Sequence, residues 1–212
     1  MRTPRSAPHY PSRMRATLAF AAMLVVALAA GGFVAVPAAS QAEEPVVRDC
    51  KGPRNLGDLG RDWRRQAVVA GPLAFVRMRN GYSRRLPSAS PSAALPLKVL
   101  VVVEPKAVVT VTLSARSRRF AALGYAASFR QGGRRVPLSA GSISARFEAC
   151  AHANASTSRI PNAGKPRNRG TQFGGYFLVA GSRCVDVEMR PEGRTTVLRR
   201  TLRFGVTRCA VS

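Results

Sequence analysis

Acidic residues are scarce in this chain: 10 Asp and Glu stand against 34 Lys and Arg, for a formal net charge of +24. That shortage narrows the chemistry. Glycoside hydrolysis needs two carboxylates flanking the scissile bond. Only five acids follow Trp63, of which Asp186 and Glu188 share a strand face, about 7 Å apart by strand geometry. Their face continues to Arg190 and alternates with Val185, Val187 and Met189, so the plainer reading is a solvated strand surface. Histidine is nearly missing as well, and only His152 lies beyond residue 42. There is no Gly-x-Ser-x-Gly elbow and no Ser-x-x-Lys pair, so nucleophilic hydrolysis lacks its usual base beside the nucleophile. The single tryptophan, Trp63, and aromatics set within apolar runs do not make the stacking platform of a nucleic-acid module. Nucleic acid is therefore not the expected physiological partner, and no cofactor motif is found.

Charge is also missing from Ala16 to Ala42, and this silence is informative. Before it stand Arg2, Arg5, Arg13 and Arg15 without an acid, and its apolar core runs from Leu18 to Ala30. A basic start, an apolar core and small residues at Ser40-Gln41-Ala42 make up a secretory signal peptide. Residues 1–42 are read as that leader, a signal helix, with the mature chain starting at Glu43. The alternative is an uncleaved signal anchor, since a span needs roughly 20 apolar residues, although Gly31, Gly32 and Pro37 interrupt the stretch. Either way the rest of the chain faces outward: it is secreted, or held at the outer face of the envelope.

Four cysteines, Cys50, Cys150, Cys184 and Cys209, all fall in the exported part. An even count in an oxidising compartment reads as two disulfides. The spacings match no zinc-ligand pattern. Of the three possible connectivities, the one expected joins Cys150 to Cys184 across a long loop and Cys50 to Cys209 at the chain ends.

What the chain has in plenty is arginine. From Trp63 onward there are 26 bases against five acids, a balance of +21. No acid occurs from Pro105 to Phe147, a stretch holding Arg116, Arg118, Arg119, Arg130, Arg134 and Arg135. A GC-rich coding bias explains arginine over lysine better than it explains the deficit of acids. Such a domain sits in a positive field that attracts polyanions. The six arginines named flank the predicted Ala121–Phe129 strand and form the candidate polyanion-binding site. Gly132-Gly133-Arg134-Arg135 also admits a phosphate-cradle reading, but a Gly-Gly hairpin turn beside surface arginines is simpler.

Residues 43–62 show no sustained periodicity and read as an irregular segment. From Trp63 to the end, short apolar runs alternate with Gly and Pro. Val68–Ala70 and Leu73–Val76 are split by Gly71-Pro72. Leu97–Val103 is a continuous apolar run, suited to a central strand covered on both faces. Val109, Val111 and Leu113 alternate with Thr110 and Thr112, and the two runs are expected to pair as a hairpin through Glu104-Pro105-Lys106. A second hairpin is expected between Ala121–Phe129 and Val136–Leu138. Ile143–Cys150, Tyr176–Val179, Val185–Arg190 and Thr195–Val206 complete the strands, with a polar loop over 151–173. No amphipathic helix emerges. The pattern predicts an all-β domain over 63–212, an antiparallel β-sandwich of about 8–10 strands.

The run Gly174-Gly175-Tyr176-Phe177-Leu178-Val179-Ala180-Gly181-Ser182-Arg183-Cys184, the ending Phe204-Gly205-Val206-Thr207-Arg208-Cys209, and Val68-Val69-Ala70-Gly71-Pro72-Leu73 resemble uncharacterised exported proteins of high-GC Gram-positive bacteria. The resemblance covers roughly residues 63–209. It implies secretion and structural cysteines, and supplies no activity. The expected function is that of a non-enzymatic envelope or extracellular protein contacting anionic wall polymers or a membrane surface. The alternative is an extracellular hydrolase whose site is assembled from His152 with Asp186 or Glu188.

Overall fold

The computed structural model describes residues 43–51, 59, 62–82, 84–126, 129, 135–151 and 170–209. The expected leader lies outside them. Ten strands are formed: β1 (Val46–Arg48), β2 (Val68–Ala70), β3 (Leu73–Phe75), β4 (Leu95–Val103), β5 (Val108–Leu113), β6 (Ala121–Gly124), β7 (Ser144–Glu148), β8 (Thr171–Val179), β9 (Arg183–Pro191) and β10 (Leu198–Phe204). They build two five-stranded sheets, ordered β1-β7-β5-β9-β10 and β2-β3-β4-β8-β6. Every pairing between these strands is antiparallel except β1 with β7. The helical elements among the described residues are short 3₁₀ turns at Trp63–Gln66, Ser117–Arg119 and Leu138–Ala140. No helix there is long and apolar enough to cross a membrane.

The two sheets differ in how many faces they bury, and the sequence periods follow from that. In the first sheet, Val109, Val111 and Leu113 of β5 and Val185, Val187 and Met189 of β9 point inward and are buried. The residues between them face solvent or each other, which gives the strict alternation of a one-sided sheet. The second sheet is covered on both faces. Its outer face takes Trp63 and Ala67 over Ala74, Val76 and Val102, and Phe129, Val136 and Leu138 over Ala94, Ala122 and Leu178. β4 therefore reads as an uninterrupted apolar run. Between the sheets, Phe75, Tyr125, Phe147, Phe173, Phe177 and Phe204 are fully buried. Tyr125 meets Phe147 edge-on at 5.1 Å and lies against Gly175, where a Cβ would come within 2.2 Å of its ring. Each such fully buried ring is worth about 1.5–3 kcal/mol of transfer free energy.

An arginine closes each open side of the sandwich. Arg48 of β1, itself buried, donates from Nη1 to the Tyr125 carbonyl just past β6 at 2.6 Å. On the opposite side Arg200 of β10 donates from Nε to the Val69 carbonyl of β2 at 3.1 Å. Burial lowers the Arg48 pKa, opposed by the neighbouring Tyr125 and Asp49.

Several expectations are corrected. Glu104-Pro105-Lys106 does turn, with the Ala107 N–H donating to the Glu104 carbonyl and Lys106 at φ 64°. It carries the chain from one sheet to the other, however, because β4 pairs with β3 and β8 whereas β5 pairs with β7 and β9. Pro followed by a positive φ makes a type II turn, whose twist splays strands rather than keeping them in one ladder. Among the described residues the expected pairing of Ala121–Phe129 with Val136–Leu138 is also absent. Leu123 bonds with Ser142, and Val136 with Ala94, since Val136 and Leu138 are used to cover the outer face of the second sheet. Within the segment read as irregular, Val46–Arg48 forms the edge strand β1.

The disulfides are Cys50–Cys150 and Cys184–Cys209, not the expected Cys150–Cys184 and Cys50–Cys209. Cys150 follows β7 at one end of the sandwich, while Cys184 opens β9 at the other. The nine-residue β8 spans about 30 Å between these ends, far beyond disulfide reach. The parallel register instead sets Arg48 opposite Phe147, bringing Cys50 to Cys150 with a Cα separation of 5.1 Å. The β9–β10 register sets Arg203 opposite Cys184, so the tail folds back onto it. Two disulfides fit a chain that folds in an oxidising compartment.

Candidate anion-binding site

Strand direction gives the sandwich two ends that differ in their acids. Glu104, Glu148 and Glu192 lie at the end where β4, β7 and β9 finish. At the opposite end, described segments 84–94, 114–120, 180–183 and 205–209 carry no acid. They do carry Arg84 and Arg85, Arg116, Arg118 and Arg119, Arg183 and Arg208. The Leu86 N–H donates to Ser182 Oγ at 2.9 Å, which places the Arg84-Arg85 segment against the β8–β9 turn.

The centre of this end is the connection from β5 to β6. Ser117 is buried between exposed Arg116 and Arg118. Its Oγ accepts the Asp186 N–H at 2.8 Å and the Ser114 hydroxyl at 3.1 Å. The Ser114 N–H in turn donates to the Asp186 carbonyl at 3.0 Å, and the Ala180 N–H to the Phe120 carbonyl at 2.8 Å. A short turn is thereby locked onto β9 by its one buried hydroxyl, with its three arginines left outside.

Two guanidinium groups are further oriented. Arg118 donates from Nε to the Leu113 carbonyl at 3.1 Å. Arg183 donates from Nε to the Ala180 carbonyl at 3.3 Å and lies 5.3 Å over the Phe120 ring. One internal bond orients each plane, joined for Arg183 by stacking on Phe120, while the terminal nitrogens stay available. Among the described residues, none of Arg116, Arg118, Arg119 and Arg183 pairs with a carboxylate.

The outer face of the first sheet is different. Arg146 bonds Glu148 at 2.8 Å and Glu192 at 3.1 Å. The hydrogen bonds that Arg146 donates to Glu148, then to Glu192, raise its pKa. Arg199 bonds Glu188 at 3.0 Å, and Thr201 Oγ1 donates to Asp186 Oδ1 at 2.6 Å. Asp186 and Glu188 are thus engaged on a solvated face by residues of β10. His152, proposed beside them in the hydrolase alternative, lies outside the described residues.

Of the six candidate arginines, Arg116, Arg118 and Arg119 come together on one turn, while Arg130 and Arg134 lie outside the described residues. Arg135 is exposed and precedes Val136, the partner of Ala94. Leu95 and Ala121 both pair with Val179, so Arg135 sits at the same end of the sheet. Arg183 was missed, because only the β8–β9 turn brings it beside Phe120. Among the described residues no group of three or more His, Cys, Asp or Glu is placed to hold a metal ion. No protein-family model, curated protein or solved structure matches the chain.

Proposed function

We propose that this is an exported, non-enzymatic protein of the cell envelope or extracellular space that holds an anionic surface through one end of its sandwich. The observation carrying this reading is the group Arg116, Arg118, Arg119 and Arg183. All four are exposed and matched to no carboxylate among the described residues; Arg116, Arg118 and Arg119 are borne on a turn anchored by Ser117, and Arg183 opens β9. The uncharged stretch from Ala16 to Ala42 behind a basic start supports export, and the two disulfides agree with the compartment it leads to. The natural targets there are anionic wall polymers and anionic lipid head groups.

Retention on isolated cell walls, measured against salt, tests the proposal. For nucleic acids, affinity for a linear polyanion falls by about 0.7–0.9 log–log units per contact, and a comparable slope is expected here. Replacing Arg116, Arg118 and Arg119 together by Gln should weaken retention and flatten the slope. Absence of retention at physiological salt, or an unchanged slope in the triple variant, refutes the assignment.

A further inference from the structure

Resting on that reading, we infer that the arginine end recognises a hydrated, phosphodiester-linked linear polymer rather than a lipid bilayer, and that Arg183 belongs to the site with Arg116, Arg118 and Arg119. Three observations carry this.

The first concerns the guanidinium groups. Arg118 and Arg183 spend Nε on the Leu113 and Ala180 carbonyls. Their remaining donors are the two terminal nitrogens, which form a parallel fork. Such a fork fits the two non-bridging oxygens of one phosphate, held bidentate, better than a point charge does. A phosphodiester keeps both oxygens free while the chain runs on through the other two, so successive groups can meet successive forks.

The second concerns apolar surface. Proteins that settle on bilayers join basic residues to apolar side chains that enter the interface. The exposed large hydrophobics among the described residues are Val47 and Val69, on β1 and β2, away from the arginine end. Phe120, the aromatic ring nearest the arginines, is covered by the Arg183 guanidinium. Among the described residues this end offers charge and hydrogen-bond donors without an exposed apolar anchor.

The third is rigidity. The turn bearing Arg116–Arg119 is held to β9 by the Ser117 and Ser114 bonds, and Arg183 is the first residue of that same strand. The four arginines therefore sit on one connected framework.

The test uses the exported protein and three probes at matched anion concentration: a synthetic poly(glycerol phosphate) chain, polyglutamate, and phosphatidylcholine vesicles containing phosphatidylglycerol. Poly(glycerol phosphate) should bind best. Arg183→Gln should weaken it several-fold and reduce the salt slope by about one contact, 0.7–0.9 log–log units on the nucleic-acid scale. Arg183→Lys, which keeps the charge but loses the fork, should not restore affinity. Arg116→Gln, at a position with no internal bond to lose, gives a second reading if the Arg183 variants melt early. Equal binding to polyglutamate, stronger binding to vesicles, or full rescue by Arg183→Lys overturns this inference and leaves the general polyanion reading standing. Failure to bind any probe, or isolated walls, removes both.

Discussion

Opening the Cys50–Cys150 bond should destabilise the domain more than opening Cys184–Cys209. The first closes a loop of 100 residues and the second one of 25. In the chain-entropy model these lengths correspond to about 4.7 and about 3.5 kcal/mol. A local effect adds to the difference. β1 has three residues and pairs only with β7 among the described strands, in parallel, so Cys50 is what keeps its end beside β7. Without it, Arg48 can leave the interior for water, taking away the bond that closes one side of the sandwich. Set against a usual domain stability of about 5–15 kcal/mol, the double variant Cys50→Ala/Cys150→Ala should be marginal at 25 °C, while Cys184→Ala/Cys209→Ala should remain folded. Urea denaturation read by Trp63 is suited to the comparison, since this single tryptophan is buried against the second sheet. Both variants should also show a larger m value, because an unfolded chain with one fewer cross-link exposes more surface. The reasoning fails if the Cys184–Cys209 variant loses as much stability or more. Recovery of a Cys150–Cys184 peptide by non-reducing mapping would overturn the topology itself.

Ser117→Ala removes no charge, yet leaves the Asp186 N–H without its acceptor. It should lower stability by about 1–3 kcal/mol and weaken polyanion retention together; an unchanged melting temperature in thermal denaturation would show that the turn is held otherwise. Alkali should destabilise the protein. Burial holds the pKa of Tyr125 well above its ordinary value of 10.0, and burial raises that of Tyr82 as well. Above pH 10 the unfolded chain therefore binds fewer protons than the native one. Stability is retained below that pH and lost above it, with Tyr125 contributing a slope of up to about 1.4 kcal/mol per pH unit; urea midpoints that stay flat from pH 9 into this range would contradict its burial.

Strand existence was legible wherever one face meets water. Val109, Val111 and Leu113, and Val185, Val187 and Met189, show their phase because their neighbours are polar. β4 was legible for the opposite reason, being covered twice. Sheet membership was not legible. It turned on the sign of φ at Lys106, a position where glycine would have announced a left-handed residue and lysine conceals it. β1 escaped because its buried side chain is Arg48 while Val47 faces outward, so no apolar period marks it. The disulfide pairing depended on which sandwich end each cysteine reaches, and that follows from topology rather than spacing. At the site, Arg116, Arg118 and Arg119 were visible as a cluster, whereas Arg183 entered through tertiary contact with Phe120.

The remaining question is whether arginine marks a site or only a coding bias, and the placement of the acids separates the two. A bias toward arginine codons replaces lysine wherever a base is tolerated, without deciding where carboxylates fall. On the outer face of the first sheet, arginines stand among acids, and Arg146 and Arg199 are neutralised by Glu148, Glu192 and Glu188. At the end bearing Arg116, Arg118, Arg119 and Arg183, the described connections contain arginine and no acid. Like charges on one turn repel, and that repulsion opposes folding unless a counter-charge arrives. Here the opposing force is met by a buried serine and by backbone bonds to β9, which hold the arginines outward. Coding bias alone predicts no such arrangement. A surface that waits for an external anion requires one, because its unpaired charges are useful only if they are held in place until the ligand supplies the missing partner.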